Sequence, residues 1–290
     1  MPFTVGVGII TYNRQQILGD TIDRVREFTQ CPDAALVVAD DGSSDGTLEL
    51  LREKQVPVIT GVNMGIAWNK NRALFLLSRM LDCETVILLE DDTQPSRAGW
   101  EAEWIDASRR WGHVNFAGSW MHVHSDSGAG TAADPMRSIH VTAQCAAYSR
   151  NSLTYGGYFD SRFKGYGHEH VEHTRRLVRV GYGGTDEIID GKERVRYLMI
   201  KGDLTIVGSK SHANKDQEER NLQLARGIMG QQGYRAPWGE DPEMCQFRTE
   251  TEAAMSGGAG RFSLARHQSR LETAQPPATR GMFSRLFRQG

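Results

Sequence analysis

The sequence predicts an α/β fold in which helices flank a parallel, doubly wound sheet. Apolar runs of strand length alternate with stretches whose apolar residues recur at helical spacing, and the connections between them are short. The run at residues 86–89 is uninterrupted, as expected of a strand that is covered on both faces. It ends in three consecutive acids at the edge where open α/β sheets bind their ligands.

The elements can be assigned in chain order from these patterns. In the first half, strands are predicted at residues 3–11, 35–39, 56–60 and 86–89. The helices between them are predicted at residues 15–28, 47–54 and 66–81. In the second half, helices are predicted at residues 100–110, 169–181 and 216–229, and strands at residues 114–121, 138–148, 194–200 and 204–207. Residues 181–191 read as a turn-rich connection.

Composition excludes several classes of protein. The formal net charge of -2 gives no reason to expect nucleic acid binding, and no apolar window approaches the roughly 20 residues of a membrane span. The first strand is not followed by a Gly-rich phosphate loop, which argues against a dinucleotide fold and a P-loop NTPase. Four scattered cysteines, the absence of a leader and the soluble composition predict a cytoplasmic protein with reduced thiols.

The acids Glu90, Asp91 and Asp92 allow two interpretations. Three adjacent carboxylates repel each other, and oxygen ligands of this kind suit Mg²⁺ or Mn²⁺ brought together with a phosphate. They would equally suit a solvated strand end that binds nothing. The groups at the neighbouring strand ends therefore have to decide between the two.

Those strand ends carry groups that suit a nucleotide. Thr11 and Tyr12 close the first strand, where the Tyr12 ring could stack on a base, and Arg14 could approach a phosphate. The acceptor oxygens of Asp40 and Asp41 close the second strand. Two asparagines line the third crossing, namely Asn63 and Asn71. Taken singly, each of these residues also has an explanation in turn or cap chemistry.

The joint order of these motifs resembles glycosyltransferase family 2 of the GT-A fold. It runs from Thr11-Tyr12-Asn13-Arg14 through the Asp40-Asp41-Gly42 segment and Asn63-Met64-Gly65 to the acids at 90–92. The resemblance covers roughly residues 5–207. It implies a Rossmann-like, mixed sheet with helices on both faces and a nucleotide-diphosphate sugar as donor, usually a UDP sugar.

The resemblance also implies roles for individual residues. Thr11, Tyr12 and Asp40 would meet the base, Asp91 the ribose or sugar, and Asp92 the divalent cation. Two departures are Lys70, where the family commonly has Arg, and the Glu-Asp-Asp order in place of Asp-x-Asp. Neither departure removes the carboxylate that would bind the metal.

A second informative stretch precedes the helix predicted to begin near Glu169. A carboxylate in the first turn of a helix is held rigidly and is kept ionised by the helix dipole. The stretch is similar to the family's Gly-Gly-Glu-Asp motif, and inverting transfer needs a base for the acceptor hydroxyl. Glu169 is the candidate, although the family often uses the next residue, here His170, so the base could be either. A zinc protease is excluded because Glu172 stands where HExxH requires histidine.

The last part of the chain yields weaker predictions. His212 follows a strand end, and in similar GT-A enzymes a late histidine returns to the metal, although an exposed histidine would explain it equally well. Residues 1–238 are predicted to form the glycosyltransferase domain, and residues 239–290 a partly flexible extension. The basic, amphipathic residues 280–288 suit either a disordered tail or a peripheral contact with the inner face of the membrane.

These observations predict a metal-dependent, inverting glycosyltransferase. Its acceptor would be a hydroxyl group of a glycan or of a lipid-linked saccharide. One alternative is a nucleotidyltransferase, although this class should show a Gly-rich loop after the first strand. The other is a non-catalytic nucleotide- or carbohydrate-binding protein on the same fold.

Overall fold

A mixed, ten-stranded sheet lies at the centre of the computed structural model, which describes residues 3–189, 192–208, 214–231 and 233–265. The first strands in the chain are β1 (Val5–Thr11), β2 (Ala34–Asp40), β3 (Val58–Thr60) and β4 (Thr85–Glu90). They pair in parallel in the order β3-β2-β1-β4. The parallel arrangement predicted for this half is therefore confirmed.

Strands from the second half make the sheet mixed. They are β5 (Thr93–Pro95), β6 (His113–Phe116), β7 (Ser125–Ser127), β8 (Met136–Ser138), β9 (Cys145–Ser149), β10 (Gly184–Ile189), β11 (Lys192–Ile200) and β12 (Leu204–Ile206). The sheet continues from β4 through β9, β6, β11, β8 and β7, with β9 antiparallel to both of its neighbours. β5 and β12 form a separate antiparallel pair.

Helices cover both faces of the sheet, as predicted. They are α1 (Gln15–Phe28), α2 (Thr47–Glu53), α3 (Ile66–Phe75), α4 (Glu101–Trp111), α5 (Arg150–Gly156), α6 (Glu169–Arg179), α7 (Lys215–Ile228) and α8 (Asp241–Met255). A π-helical turn at Leu76–Met80 continues α3. None of the helices in the described ranges is long and apolar enough to cross a membrane.

Hydrophobic layers pack on both faces of the sheet, and the central strands β1, β2 and β4 are therefore buried on both faces. On one face Leu18 and Ile22 of α1 are fully buried against the sheet, which follows from their helical spacing. On the other face α3 lies close to β1, and a Cβ added to Gly8 would stand 2.9 Å from the Cβ of Ala73. Glycine at this position therefore permits the close packing of α3 on β1.

Several regions of the second half differ from the prediction. The strand predicted at residues 138–148 is two strands, because β8 ends at Ser138 and β9 begins at Cys145. The region predicted as turns contains β10, which pairs with β11 as a hairpin. The strand predicted at residues 114–121 ends at Phe116, and a 3₁₀ turn occupies Met121–His124. All four cysteines are free thiols.

The described part of the predicted C-terminal extension packs onto the rest of the fold. Phe247 of α8 is fully buried and contacts Trp68 edge to face, with ring centroids 5.3 Å apart. Phe262 and Leu264 are also buried, and Ser263 bridges to Ala35 of β2. Residues 239–265 therefore contribute buried side chains to the core, whereas the basic end at 280–288 lies outside the described residues.

Candidate active site

The candidate site lies at the carboxyl edge of the parallel strands. Thr11 and Asp40, the last residues of β1 and β2, are paired in register, and Glu90 of β4 pairs with Ile10. Each strand therefore ends at the same level, and the loops that follow face one another. The sequence-based expectation that these loop ends meet is correct.

Asp91 and Asp92 are held by one arginine at this edge. Arg14 Nη1 lies 2.7 Å from Asp91 Oδ1, and Arg14 Nη2 lies 3.1 Å from Asp92 Oδ2. Thr11 Oγ1 donates a 2.7 Å hydrogen bond to the second oxygen of Asp91. Arg14 thus joins Asp91, which the resemblance assigns to the ribose or sugar, and Asp92, which it assigns to the metal.

The acids carry more negative charge than their partners neutralise. Burial raises the pKa of Asp91 to about 7, Thr11 and Arg14 oppose the rise, and the neighbouring Asp92 and Glu90 add to it. Burial likewise raises the pKa of Glu90. An additional positive charge at this edge would offset the mutual repulsion of the three carboxylates.

Lys70 of α3 connects this edge to the first turn of α6. Its Nζ lies 3.2 Å from Glu169 Oε1 and 3.6 Å from Glu90 Oε1, and its side chain is 3% exposed. Burial alone would lower the pKa of Lys70, but the two carboxylates raise it. The lysine is therefore a buried cation between the acid triplet and the predicted base.

Glu169 and His170 open α6 side by side. Glu169 is almost fully buried, and its Oε1 also lies 3.4 Å from His170 Nδ1, whereas the His170 side chain is partly exposed. Burial would raise the pKa of Glu169, but the charges of Lys70 and His170 lower it below its ordinary range. Among the described residues, Glu169 Oε2 is buried without a hydrogen-bond partner.

Asp40 and Asp41 organise the loops on the nucleotide side of the edge. The Asp40 carboxylate accepts hydrogen bonds from Thr60 Oγ1 at 2.7 Å and from the backbone N–H groups of Gly42 and Ser43. The Asp41 carboxylate accepts hydrogen bonds from the N–H groups of residues 64 and 65. Both side chains are buried. Their hydrogen bonds to backbone N–H groups show that both residues stabilise turns, which was the alternative explanation for them.

The other predicted nucleotide residues fall into two groups. The side chains of Tyr12 and Asn63 are exposed at the mouth of the site. Asn71 is fully buried and bonds only to backbone, at Phe159 O, Phe159 N–H and Pro237 O. The structure therefore brings Tyr12 and Asn63 to the surface of the site and uses Asn71 to tie α3 to the loop that precedes α6.

Gly65 lets the two sides of the site touch. Its φ is +92°, and a Cβ there would lie 2.6 Å from the backbone nitrogen of Gly165. A side chain at Gly65 would therefore push the nucleotide loop away from the loop that leads to Glu169. The contact explains why glycines occur in both motifs.

Sequence reasoning missed the buried ion pair beneath the nucleotide loops. Arg72 of α3 is fully buried and bonds to both carboxylate oxygens of Glu250 in α8, at 2.9 and 3.0 Å. Its Nη1 also lies 2.8 Å from Asp41 Oδ1. The arginine thereby fixes the Asp41 loop to a helix 178 residues away in the chain, and a separation of this size leaves no local pattern to find.

Replacing Glu250 with alanine should lower the free energy of unfolding by about 3 kcal/mol, because it leaves the Arg72 guanidinium buried with one carboxylate fewer. Urea unfolding measures the change. Glu252→Ala is the matched control, since Glu252 is exposed and only approaches Arg248 at 3.8 Å; it should change stability by less than about 0.5 kcal/mol. Equal effects of the two substitutions would contradict a structural role for the buried pair.

Metal ligands are few in the described part of the chain. No group of three or more His, Cys, Asp or Glu side chains there is arranged to hold a metal ion. His212, the predicted second ligand, lies outside the described residues. Asp92 is therefore the described candidate, and Mg²⁺ sites in phosphate chemistry commonly use one or two carboxylates together with substrate oxygens and water.

Comparison with known proteins agrees with this geometry. A sequence profile described as glycosyl transferase family 2 matches residues 6–173, which include every described residue of the site except those of α8. No curated protein sequence matches the chain significantly.

Solved structures share the fold at low sequence identity. A mannosyltransferase from Pyrobaculum calidifontis, in complex with GDP-Man and Mn²⁺, aligns with 95% of this chain and 77% of its own at 16% identity and a TM-score of 0.55. TarS from S. aureus aligns with 88% of this chain and 72% of its own, at 15% identity and a TM-score of 0.51. GalNAc-T7, with UDP, GalNAc and Mn²⁺, has a TM-score of 0.55 at 14% identity; the alignment covers 87% of this chain but only 55% of that one.

Proposed function

Because the chain belongs to glycosyl transferase family 2, we propose that it transfers a sugar from a nucleotide-diphosphate sugar to a hydroxyl acceptor, with inversion at the anomeric carbon. One observation carries the proposal. Asp91 and Asp92 share a sheet edge with Glu90, and Lys70 connects that edge to Glu169 at the start of α6. The site for the donor diphosphate would thus lie next to the base that activates the acceptor.

The donor would lie across the ends of β1, β2 and β4. We assign the Tyr12 ring to the base, with Thr11 beside it and Asp40 holding the turn that completes this part of the site. Asn63 would line its mouth, Asp41 would hold the adjoining loop, and Asn71 would support the framework from below. UDP is the proposed nucleotide. The structurally similar proteins include complexes with UDP and with GDP-Man, so the base has to be tested.

Arg14 and the acids beside it would face the diphosphate. Asp92 supplies the hard oxygen ligand that Mn²⁺ or Mg²⁺ prefers, and the surplus of carboxylates at the edge suits a divalent cation. When bound, the cation would neutralise charge on the departing diphosphate. Asp91 would contact the ribose or the sugar, and His212 stays a prediction as a second metal ligand.

The acceptor side is assigned to the first turn of α6. Glu169 would take the proton of the attacking hydroxyl, and its unpartnered Oε2 is the atom available for this contact. The acceptor would be a glycan or a lipid-linked saccharide. Free thiols are consistent with a cytoplasmic site of action, which belongs to the proposal together with a peripheral membrane contact through residues outside those described.

Thermal unfolding with UDP- and GDP-sugars tests the proposal directly. A donor present at about 100 times its Kd should stabilise the protein by about 2.7 kcal/mol, and the stabilisation should require Mn²⁺ or Mg²⁺. Release of the nucleoside diphosphate on addition of a saccharide acceptor would then establish transfer.

Each alternative predicts a different outcome of the same assay. A binding protein would be stabilised by the donor without releasing nucleoside diphosphate. A nucleotidyltransferase would instead release pyrophosphate from a nucleoside triphosphate and a sugar phosphate. If no nucleotide or nucleotide sugar stabilises the protein with either metal, the proposed donor site is wrong.

A further inference from the structure

Gln144 stands beside the acid triplet, immediately before β9. Leu88 and Leu89 of β4 pair with Ala146 and Cys145 of β9, and the next contact along the ladder is a 2.9 Å hydrogen bond from Glu90 N–H to the backbone carbonyl of Gln144. Side chains alternate along β4, so Glu90 points to the same face as Leu88. This is the face on which Lys70 and Glu169 lie. Gln144 lies opposite Glu90, because its carbonyl continues the hydrogen-bonded ladder one residue before β9 begins.

The Gln144 carboxamide carries a buried oxygen that the protein does not use. In the described part of the chain, Gln144 Oε1 is buried without a hydrogen-bond partner. Glu169 Oε2 is in the same situation. Buried polar atoms are almost always paired in native proteins, so two unpaired acceptors at one sheet edge point to a ligand that donates hydrogen bonds. A sugar ring presents several hydroxyl groups of this kind.

The geometry points to Gln144 as a specificity-determining residue that accepts a hydrogen bond from a hydroxyl group of the transferred sugar. This inference rests on the proposed function, because the sugar has to lie between the diphosphate at Asp92 and the base at Glu169. Gln144 lies opposite Glu90, which stands two residues before Asp92 and shares Lys70 with Glu169. Discrimination between sugars that differ at one hydroxyl would then depend on this carboxamide, since a site built to bond a hydroxyl rejects the analogue that lacks it.

Replacing Gln144 with methionine keeps the length of the side chain and removes the carboxamide. We expect the Kd for the nucleotide sugar to rise about tenfold to a hundredfold, because a hydrogen bond to a buried group is lost. The Kd for the nucleoside diphosphate without sugar should stay within about twofold, since the contact is with the sugar. Isothermal titration calorimetry with UDP, GDP, UDP-glucose and GDP-mannose in Mn²⁺ measures both constants.

Deoxy donors identify the contact. For the wild type, one monodeoxy analogue of the bound sugar should lose about as much affinity as Gln144→Met loses for the complete sugar. The variant should bind that same analogue and the complete sugar equally well. Gln223→Met, on the exposed surface of α7, is the matched control and should bind all four ligands as the wild type does.

Two results would overturn different claims. If the wild type binds a nucleotide sugar and Gln144→Met binds it equally well with the same preference among analogues, the role of Gln144 is wrong while the proposed function stands. If the wild type binds none of the four ligands, the proposed function itself fails. Unchanged binding of the free nucleoside diphosphate also shows that the variant is folded.

Discussion

Replacing Asp92 with alanine should reduce sugar transfer by about 10³-fold or more and should abolish the dependence of donor binding on Mn²⁺. Asp92 is the carboxylate that we propose as the metal ligand, and the loss of its charge removes that ligand without moving the strand that precedes it. Transfer rates with and without EDTA, together with donor Kd values in Mn²⁺, measure the effect. The Kd of the variant in Mn²⁺ should equal that of the wild type in EDTA.

The fold should survive this substitution. Arg14, which pairs with both acids, keeps Asp91 at 2.7 Å, and its side chain is 27% exposed, so no uncompensated charge becomes buried. The loss of one acid also removes the repulsion that adds to the rise in the pKa of Asp91 caused by burial. The melting temperature of Asp92→Ala should therefore stay near that of the wild type. A loss of activity would then reflect the loss of the metal ligand and not unfolding.

Two further variants sharpen the experiment. Asp92→Asn keeps the size of the side chain and loses its charge, so it should resemble Asp92→Ala in activity. Asp106→Ala removes an acid that is exposed on α4 and paired with Arg110, and it should leave transfer unchanged. Metal-independent transfer at the wild-type rate in Asp92→Ala would show that the cation is held elsewhere or is not used.

The parts of the site that the sequence revealed are those determined by local patterns. A short, uninterrupted apolar run bounded by turn signals indicates a buried strand, and acids directly after it are then expected at the carboxyl edge of the sheet. For this reason the sequence alone places Glu90, Asp91 and Asp92 near Thr11. The first turn of α6 was located in the same way, from glycines followed by an amphipathic helix.

Interactions between distant parts of the chain could not be predicted in this way. Nothing near Arg72 indicates that its partner is Glu250, because the pair forms only when α8 packs against α3 and β3. The buried face of α8 is also difficult to recognise in the sequence. Besides Phe247 it contains Thr251 and Ala254, which are small or polar. A face of this composition has little apolar periodicity and reads as a surface segment.

One local signal was overlooked. Asp190-Gly191 separates the segments that form β10 and β11, and an Asp-Gly pair between β-rich runs is a strong indication of a hairpin. Reading residues 181–191 as turns gave too much weight to the glycines at 181, 183 and 184. Asn71 was expected to face a nucleotide because of its place at the third strand crossing, whereas its side chain bonds to backbone at Phe159 and Pro237.

Replacing Glu169 with glutamine should lower kcat by about 10²- to 10⁴-fold while leaving the Kd of the donor nearly unchanged, because the proposed base acts on the acceptor hydroxyl. Glutamine keeps the shape of the side chain and can still approach Lys70, which retains its pair with Glu90 at 3.6 Å. Single-turnover transfer and donor titration separate the two effects. Glu49→Gln, at an exposed position on α2, is the matched control and should leave both quantities unchanged.

His170 is the competing base, and the structure explains why it has to be tested. Its side chain is more exposed than that of Glu169, and its Nδ1 lies 3.4 Å from Glu169 Oε1, so the carboxylate could instead orient the imidazole. Glu169→Gln would impair both mechanisms. His170→Gln separates them, because it removes the imidazole and keeps Glu169 beside Lys70.

The dependence of kcat on pH then identifies which group takes the proton. A carboxylate whose pKa is lowered by a lysine stays ionised as the pH falls, so transfer that relies on Glu169 should not lose its base near pH 6.5. If His170 were the base, His170→Gln would lose most of the activity, and any acidic limb of the pH profile that belongs to the imidazole would be lost with it. We expect His170→Gln to retain at least about a tenth of the wild-type kcat, with an acidic limb at the same pH, because Glu169 is the base that we propose. A fall in kcat as deep as that of Glu169→Gln would transfer the role to His170, with Glu169 and Lys70 holding the imidazole in place.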